Sequence, residues 1–153
     1  MNKVLILGIG NLLMGDEGIG IHISRYLETN FTWTQVDIVD GGTGGFHLLE
    51  FFQNYPKVIL IDATIDGQPD GTIQLIRPKY SSDYPPTLTA HDIGLKDLLD
   101  ALYLLNHQPE IWLYTISIPR LDRVSLELSP EIEAVIPVAA NQIAQNLSDL
   151  ATS

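Results

Sequence analysis

The sequence contains no cysteine, which excludes disulfides, thiolate nucleophiles, thiolate zinc sites and iron–sulfur clusters held by the chain's own ligands. Any chemistry must come from oxygen and nitrogen donors. Basic residues are scarce: 8 Lys plus Arg stand against 19 Asp plus Glu, a formal charge of −11. Such a surface repels phosphate backbones and anionic headgroups, which argues against nucleic acid and membrane as partners. It suits a cationic ligand or a basic protein segment, although it serves solubility equally well. Long apolar runs are missing too. Met1-Asn2-Lys3 leads into a short apolar stretch that Gly8 ends, too brief for a secretory leader or a spanning helix. A cytoplasmic location is the expectation.

What is present suits one folded unit over residues 1–153. The chain is 45% hydrophobic and 18% charged, and a chain of this length buries about two-thirds of its unfolded surface. Val4-Leu5-Ile6-Leu7-Gly8 reads as a strand buried on both faces. After a loop from Ile9 to Glu17, Ile19, Ile23, Tyr26 and Leu27 recur at helical spacing to about Asn30, with Asp16 as an N-cap. Trp33 to Val39 reads as a second strand, Gly44 to Asn54 as a second helix and Val58 to Ile61 as a third strand.

The dense turn Asp66-Gly67-Gln68-Pro69-Asp70-Gly71 sends Thr72 to Ile76 back as an antiparallel strand at or near an edge. Arg77 to Ala90 is a long loop without periodicity, and such loops are often functional. Ile93 to Leu105 carries a leucine stripe (Leu95, Leu98, Leu99, Leu102, Leu105), and Ile111 to Ile118 is a fifth strand. Ser129-Pro130 opens a terminal helix that Pro137 kinks or restarts. The whole predicts an α/β three-layer sandwich: a mostly parallel five-stranded twisted sheet with one antiparallel strand and helices on both faces. No apolar stripe marks a dimer face, so a monomer is expected.

In such folds ligands bind outside the carboxyl ends of the strands, and four segments point there. Gly8-Ile9-Gly10-Asn11 begins like a dinucleotide-binding turn, but Leu13 stands where that fingerprint needs a small residue. The loop delivers Asp16 and Glu17 to the start of a helix. Asp40-Gly41-Gly42-Thr43-Gly44-Gly45 follows the second strand, with enough glycine for a ligand cradle or a tight corner. Asp62 closes an apolar strand, a costly place for a carboxylate without a partner. His91 sits between the long loop and the third helix, whereas His22, His47 and His107 have adequate structural readings.

Two carboxylates brought to about 4 Å repel by about 4 kcal/mol at an effective dielectric near 20, which a cation or a shared proton relieves. Two carboxylates and an imidazole suit a first-row transition ion with open positions. No Gly-x-Ser-x-Gly elbow or His-Glu-x-x-His helix offers another mechanism.

These motifs, from Lys3 to about Leu150, resemble those of the nickel-iron hydrogenase maturation endopeptidases, which remove a C-terminal extension from the hydrogenase large-subunit precursor. The resemblance rests on Gly8-Ile9-Gly10-Asn11, Gly15-Asp16-Glu17-Gly18-Ile19-Gly20, Asp40-Gly41-Gly42-Thr43-Gly44, Ile61-Asp62-Ala63 and His91 with Gly94. It implies that Glu17, Asp62 and His91 contact nickel, and that Asp40 belongs to a recognition motif; in the mechanism expected from it, Asp16 or Asp40 assists catalysis as base or anchor. The nickel is implied to arrive with the precursor rather than reside in the protease. Arg120 to Leu128 lacks the glycine such proteins often carry there. Two other readings stay open on the residues: a hydrolase of this fold with its own resident metal, and a non-enzymatic nickel or precursor chaperone.

Overall fold

A computed structural model of the chain describes residues 3–43, 48–89, 95–106, 108–120 and 124–152. Five strands form one sheet: β1 (Val4–Gly8), β2 (Val36–Asp40), β3 (Lys57–Thr64), β4 (Ile73–Ile76) and β5 (Glu110–Ser117), in the order β2-β1-β3-β5-β4. β1 pairs in parallel with β2 and β3, β3 pairs in parallel with β5, and β4 runs antiparallel to β5 at the edge. This is the mixed sheet expected from the turn at Asp66–Gly71. The helices are α1 (Ile19–Asn30), α2 (Leu49–Asn54), α3 (Leu95–Leu104), α4 (Pro130–Glu133) and α5 (Val135–Thr152).

Period-two alternation along the central strands builds two apolar layers, one on each face. Ile59, Ile61 and Ala63 of β3 pack with Ile19, Ile23 and Leu27 of α1 and with Ala139, Ala140 and Ile143 of α5. Val58 and Leu60 pack with Phe52 of α2 and with Leu98, Leu99 and Leu102 of α3. Leu105, expected on the α3 stripe, instead lies past the helix end and is exposed.

Several boundaries differ from expectation for identifiable reasons. β2 starts at Val36 rather than Trp33, because Trp33 stacks flat on Phe31 with ring centroids 5.2 Å apart in the approach to the strand. β3 runs on to Thr64, so Asp62 lies inside the strand instead of closing it. The terminal helix restarts at Val135. Pro137 therefore falls in the first turn of α5, where an amide hydrogen would have no helical partner and its absence costs nothing.

The role expected for Asp16 is corrected. It lies within a 3-10 turn, Gly15–Gly18, and α1 starts after Gly18 with no side-chain cap. Its carboxylate is buried and crosses to the start of α4: the Ser129 amide donates to Oδ1 at 2.7 Å and the Ser129 hydroxyl donates to Oδ2 at 2.6 Å. Ser129 does occupy the N-cap position of α4, but its hydroxyl serves Asp16 rather than the helix amides.

The entry to α1 is set by close approach. The Ile9 amide donates to the Ile61 carbonyl at 2.9 Å. A methyl group on Gly20 would fall well inside the contact distance of both the Ile61 and Ile9 carbonyl oxygens. Only glycine lets the helix begin directly on the tip of β3.

Two stability predictions follow from these contacts. Gly20→Ala forces α1 off β3 and lowers unfolding free energy by about 3 kcal/mol, the upper range for overpacking, measured by urea denaturation. Asp16→Ala removes two charge-assisted hydrogen bonds and destabilises by about 3 kcal/mol; Ser129→Ala, which keeps the amide bond, costs about half as much on the same measurement.

Candidate active site

The carboxyl ends of β1, β2 and β3 are stitched together by backbone hydrogen bonds. The Gly41 amide donates to the Gly8 carbonyl at 2.8 Å, and the Gly10 amide donates to the Gly42 carbonyl at 2.8 Å. With the bond from Ile9 to Ile61, the glycine loops after β1 and β2 are tied to each other and to β3. Gly42 has φ of 58°, the left-handed conformation this turn requires.

Glu17 is half-buried and sits on the 3-10 turn, which packs against β3. Its backbone closes the loop on itself: the Glu17 amide donates to the Met14 carbonyl at 3.2 Å and the Asn11 amide donates to the Glu17 carbonyl at 3.3 Å. A second segment braces the same loop. Met14 and Ser125 form a parallel bridge, with the Ser125 amide donating to Leu13 at 2.8 Å and the Gly15 amide donating to Ser125 at 2.7 Å. Ser125, in the approach to α4, is thus fixed against the Glu17 loop.

Asp62 is almost wholly buried, with 1% exposure. Its Oδ1 accepts from the Ala63 amide at 2.8 Å and from the Thr89 hydroxyl at 3.0 Å, donors that offset the desolvation of a carboxylate. The face of the sheet explains this environment. Val58 and Leu60 lie on the α3 side, and the same row continues with Asp62 and Thr64. In register, Ile111 and Leu113 of β5 give way to Thr115 and Ser117. One face therefore turns from apolar to polar at the level of Asp62. The hydroxyls of Thr115 and Ser117 are buried there without a hydrogen-bond partner among the described residues.

Asp40 ends β2 and is exposed. Its Oδ1 accepts from the Gly42 amide at 2.8 Å, an Asx-type turn that shapes the glycine loop, and its Oδ2 lies 3.5 Å from Arg25. Asp16 is committed to Ser129, so it serves as an anchor for α4. His91 lies outside the described residues, two positions beyond Thr89; His47 and His107 also lie outside them. His22 is on α1, as read, with its pKa held below 6.5 by burial and by Arg25, against an opposing pull from Glu133. Among the described residues no group of three metal-binding side chains comes together. The structure thus places the Glu17 turn against the strand that carries Asp62 and bonds the Asp40 loop to β1.

Thr89 carried no expectation beyond its nearness to His91. Its hydroxyl two positions ahead of a candidate ligand was the available signal, but its pairing with β3 was not legible. A cleft of about 450 Å³ opens at the other end of the sheet, between Arg77, Tyr84 and Glu110. Its carboxylate is spoken for: Glu110 accepts from Arg77 at 2.6 Å, and the Arg77 guanidinium lies over Trp112. The catalytic candidates are thus at the strand tips rather than in this cleft.

A sequence profile of the hydrogenase maturation proteases matches residues 21–146. The chain is 32% identical over 144 residues to the hydrogenase 2 maturation protease of Escherichia coli (strain K12), covering 92% of this chain and 88% of that protein. It is 31% identical to the hydrogenase expression/formation protein HupD of Rhizobium leguminosarum, a match spanning 71% of this chain and 55% of that longer protein. Among solved structures, the hydrogenase maturating endopeptidase HybD from E. coli superposes with a TM-score of 0.85 at 30% identity, covering 96% of this chain and 93% of that one. The [NiFe] hydrogenase maturation protease HybD from Thermococcus kodakarensis gives a TM-score of 0.72 at 27% identity, covering 95% and 98%. No helix among the described residues is long and apolar enough to cross a membrane. With the profile covering most of its length and a relative aligned nearly end to end, the chain is a peptidase that belongs to the hydrogenase maturation protease family.

Proposed function

We propose that this peptidase removes the C-terminal extension of a nickel-iron hydrogenase large-subunit precursor after nickel insertion, and that it reads the precursor's nickel with Glu17, Asp62 and His91. The reading is carried by the near end-to-end likeness to the E. coli HybD endopeptidase. It is supported by the burial of Asp62 near the carboxyl end of β3 and by the packing of the Glu17 turn against the same strand.

In this reading the ion is part of the substrate, and it supplies an electrophile beside the scissile bond. The chain's own residues hold the precursor so that the reacting atoms meet at short range. The glycine loops after β1 and β2 admit an extended segment close to the backbone, and Asp40 assists by holding the second loop in shape. Water then adds its oxygen to the peptide carbonyl carbon, the carbon–nitrogen bond breaks, and the proton goes to the departing amine. The enzyme works as a monomer in the cytoplasm, where a chain without cysteine meets no oxidative demand.

Glu17→Gln, Asp62→Asn and His91→Ala are expected to reduce processing of the nickel-loaded precursor by at least about a hundredfold each, the scale at which metal-contacting shells act. The C-terminal mass of the large subunit, recorded before and after incubation, reads the outcome. Full processing by all three variants overturns the proposal. Stoichiometric metal in the isolated protein would instead indicate a resident ion.

A further inference from the structure

We infer that Thr89 is a positioning residue for Asp62, fixing the carboxylate that the proposed reading assigns to nickel recognition. The inference rests on that reading and adds a residue to it.

The geometry is specific. The Thr89 hydroxyl donates to Asp62 Oδ1 at 3.0 Å, and the Ala63 amide donates to the same oxygen at 2.8 Å. Two donors on one oxygen, from different directions of the chain, fix both the rotamer and the plane of the carboxylate. A buried aspartate without such a brace can turn about its side-chain bonds, and a ligand that has turned no longer meets its ion at bonding geometry.

Thr89 is itself held by contacts that do not involve its hydroxyl. Its amide donates to the Ala63 carbonyl at 3.0 Å, and the Ile65 amide donates to the Thr87 carbonyl at 3.1 Å. Thr64 and Leu88 form an antiparallel bridge, the Thr64 and Thr87 hydroxyls bond to each other, and Leu88 is 1% exposed in the core. Residues 87–89 are thus pinned along the end of β3 by one antiparallel bridge and the hydrogen bonds that flank it. Removing the Thr89 hydroxyl leaves that pairing intact, so the side chain's contribution is separable from the segment's. The same segment leads within two residues to His91. One stretch of backbone therefore braces one proposed ligand and precedes another in the sequence by two positions.

The test compares Thr89→Val, Thr89→Ser and Asp62→Asn in the full chain, using the large-subunit precursor with and without nickel. Three quantities are read: kcat/KM for cleavage of the loaded precursor, the ratio of Kd values for empty and loaded precursor, and the thermal midpoint. Thr89→Val, which keeps the β-branch and the backbone bonds, is expected to lower kcat/KM by about tenfold to a hundredfold. It should reduce the preference for loaded precursor to a similar degree with little change in midpoint. Thr89→Ser restores most of both. If Thr89→Val cleaves and discriminates like the parent while Asp62→Asn does not, the inference fails and the reading of Asp62 stands. A loss by Thr89→Val that tracks a falling midpoint, affects loaded and empty precursor alike and is not rescued by serine also overturns it. Full processing by Asp62→Asn removes the reading on which it rests.

Discussion

The meeting of α1 with the tip of β3 is the contact on which the rest of the arrangement depends. The Ile61 carbonyl accepts the Ile9 amide, and the helix begins immediately above it because Gly20 presents no side chain. That approach fixes the height of the 3-10 turn over the sheet, and with it the position of Glu17 relative to the strand bearing Asp62. Further ties act on the same loop. Gly10 bonds to Gly42, Met14 and Gly15 pair with the segment around Ser125, and Asp16 takes both donors of Ser129. A loop carrying a candidate carboxylate is thereby tied to the sheet and to the start of α4 at several points, the kind of support a binding constellation needs.

The second constraint is chemical. A parallel sheet buried on both faces is an apolar environment, yet the upper end of one face carries Asp62, Thr64, Thr115 and Ser117. The transition is confined to that level: Val58, Leu60, Ile111 and Leu113 below it are packed among leucines. Two of the hydroxyls lack partners in the described structure, a cost of roughly 1–3 kcal/mol each if they were left so. Sequences do not keep such groups in a core for stability, since alanine or valine would pack there without penalty. Polar groups concentrated beside a buried carboxylate at the strand tips are what the position of ligand sites in open α/β sheets leads one to expect.

How far the sequence discloses this differs from element to element. The strands and the mostly parallel character of the sheet were legible because period-two and continuous apolar runs are local signals, and the turn at Asp66–Gly71 showed that one strand must run backwards. Glu17, Asp40 and Asp62 were legible as candidates because charged residues next to glycine loops and at strand ends stand out against an apolar background. Asp16 was misread as a helix cap because its true partner, Ser129, lies 113 positions away, and no local pattern records a contact of that range. Thr89 was invisible as a partner of Asp62 for the same reason. Its pairing with Ala63 depends on how the long loop folds back, and that loop has no periodicity to read. Pro137 shows a third kind of error: the break was real, but the chain exploits the tolerance of a first helical turn and interrupts itself at Ala134, three residues earlier.

The charge of the chain bears on why a substrate-borne cation would be discriminated at all. A surface at −11 offers a diffuse attraction to any positive group, screened over about 8–10 Å at physiological salt, and so cannot distinguish a loaded precursor from an empty one. Discrimination needs a short-range term. On the proposed reading Glu17 and Asp62 provide it, because a cation placed between two neighbouring carboxylates relieves their mutual repulsion. An empty precursor would have to approach those charges without relieving them, and its polar backbone would give up water for no compensating bond. On the proposed reading, then, the rigidity of the Glu17 loop and the brace on Asp62 have the same consequence: carboxylates free to swing apart would accommodate both forms of the precursor, whereas carboxylates held in place accept only the form that brings the ion.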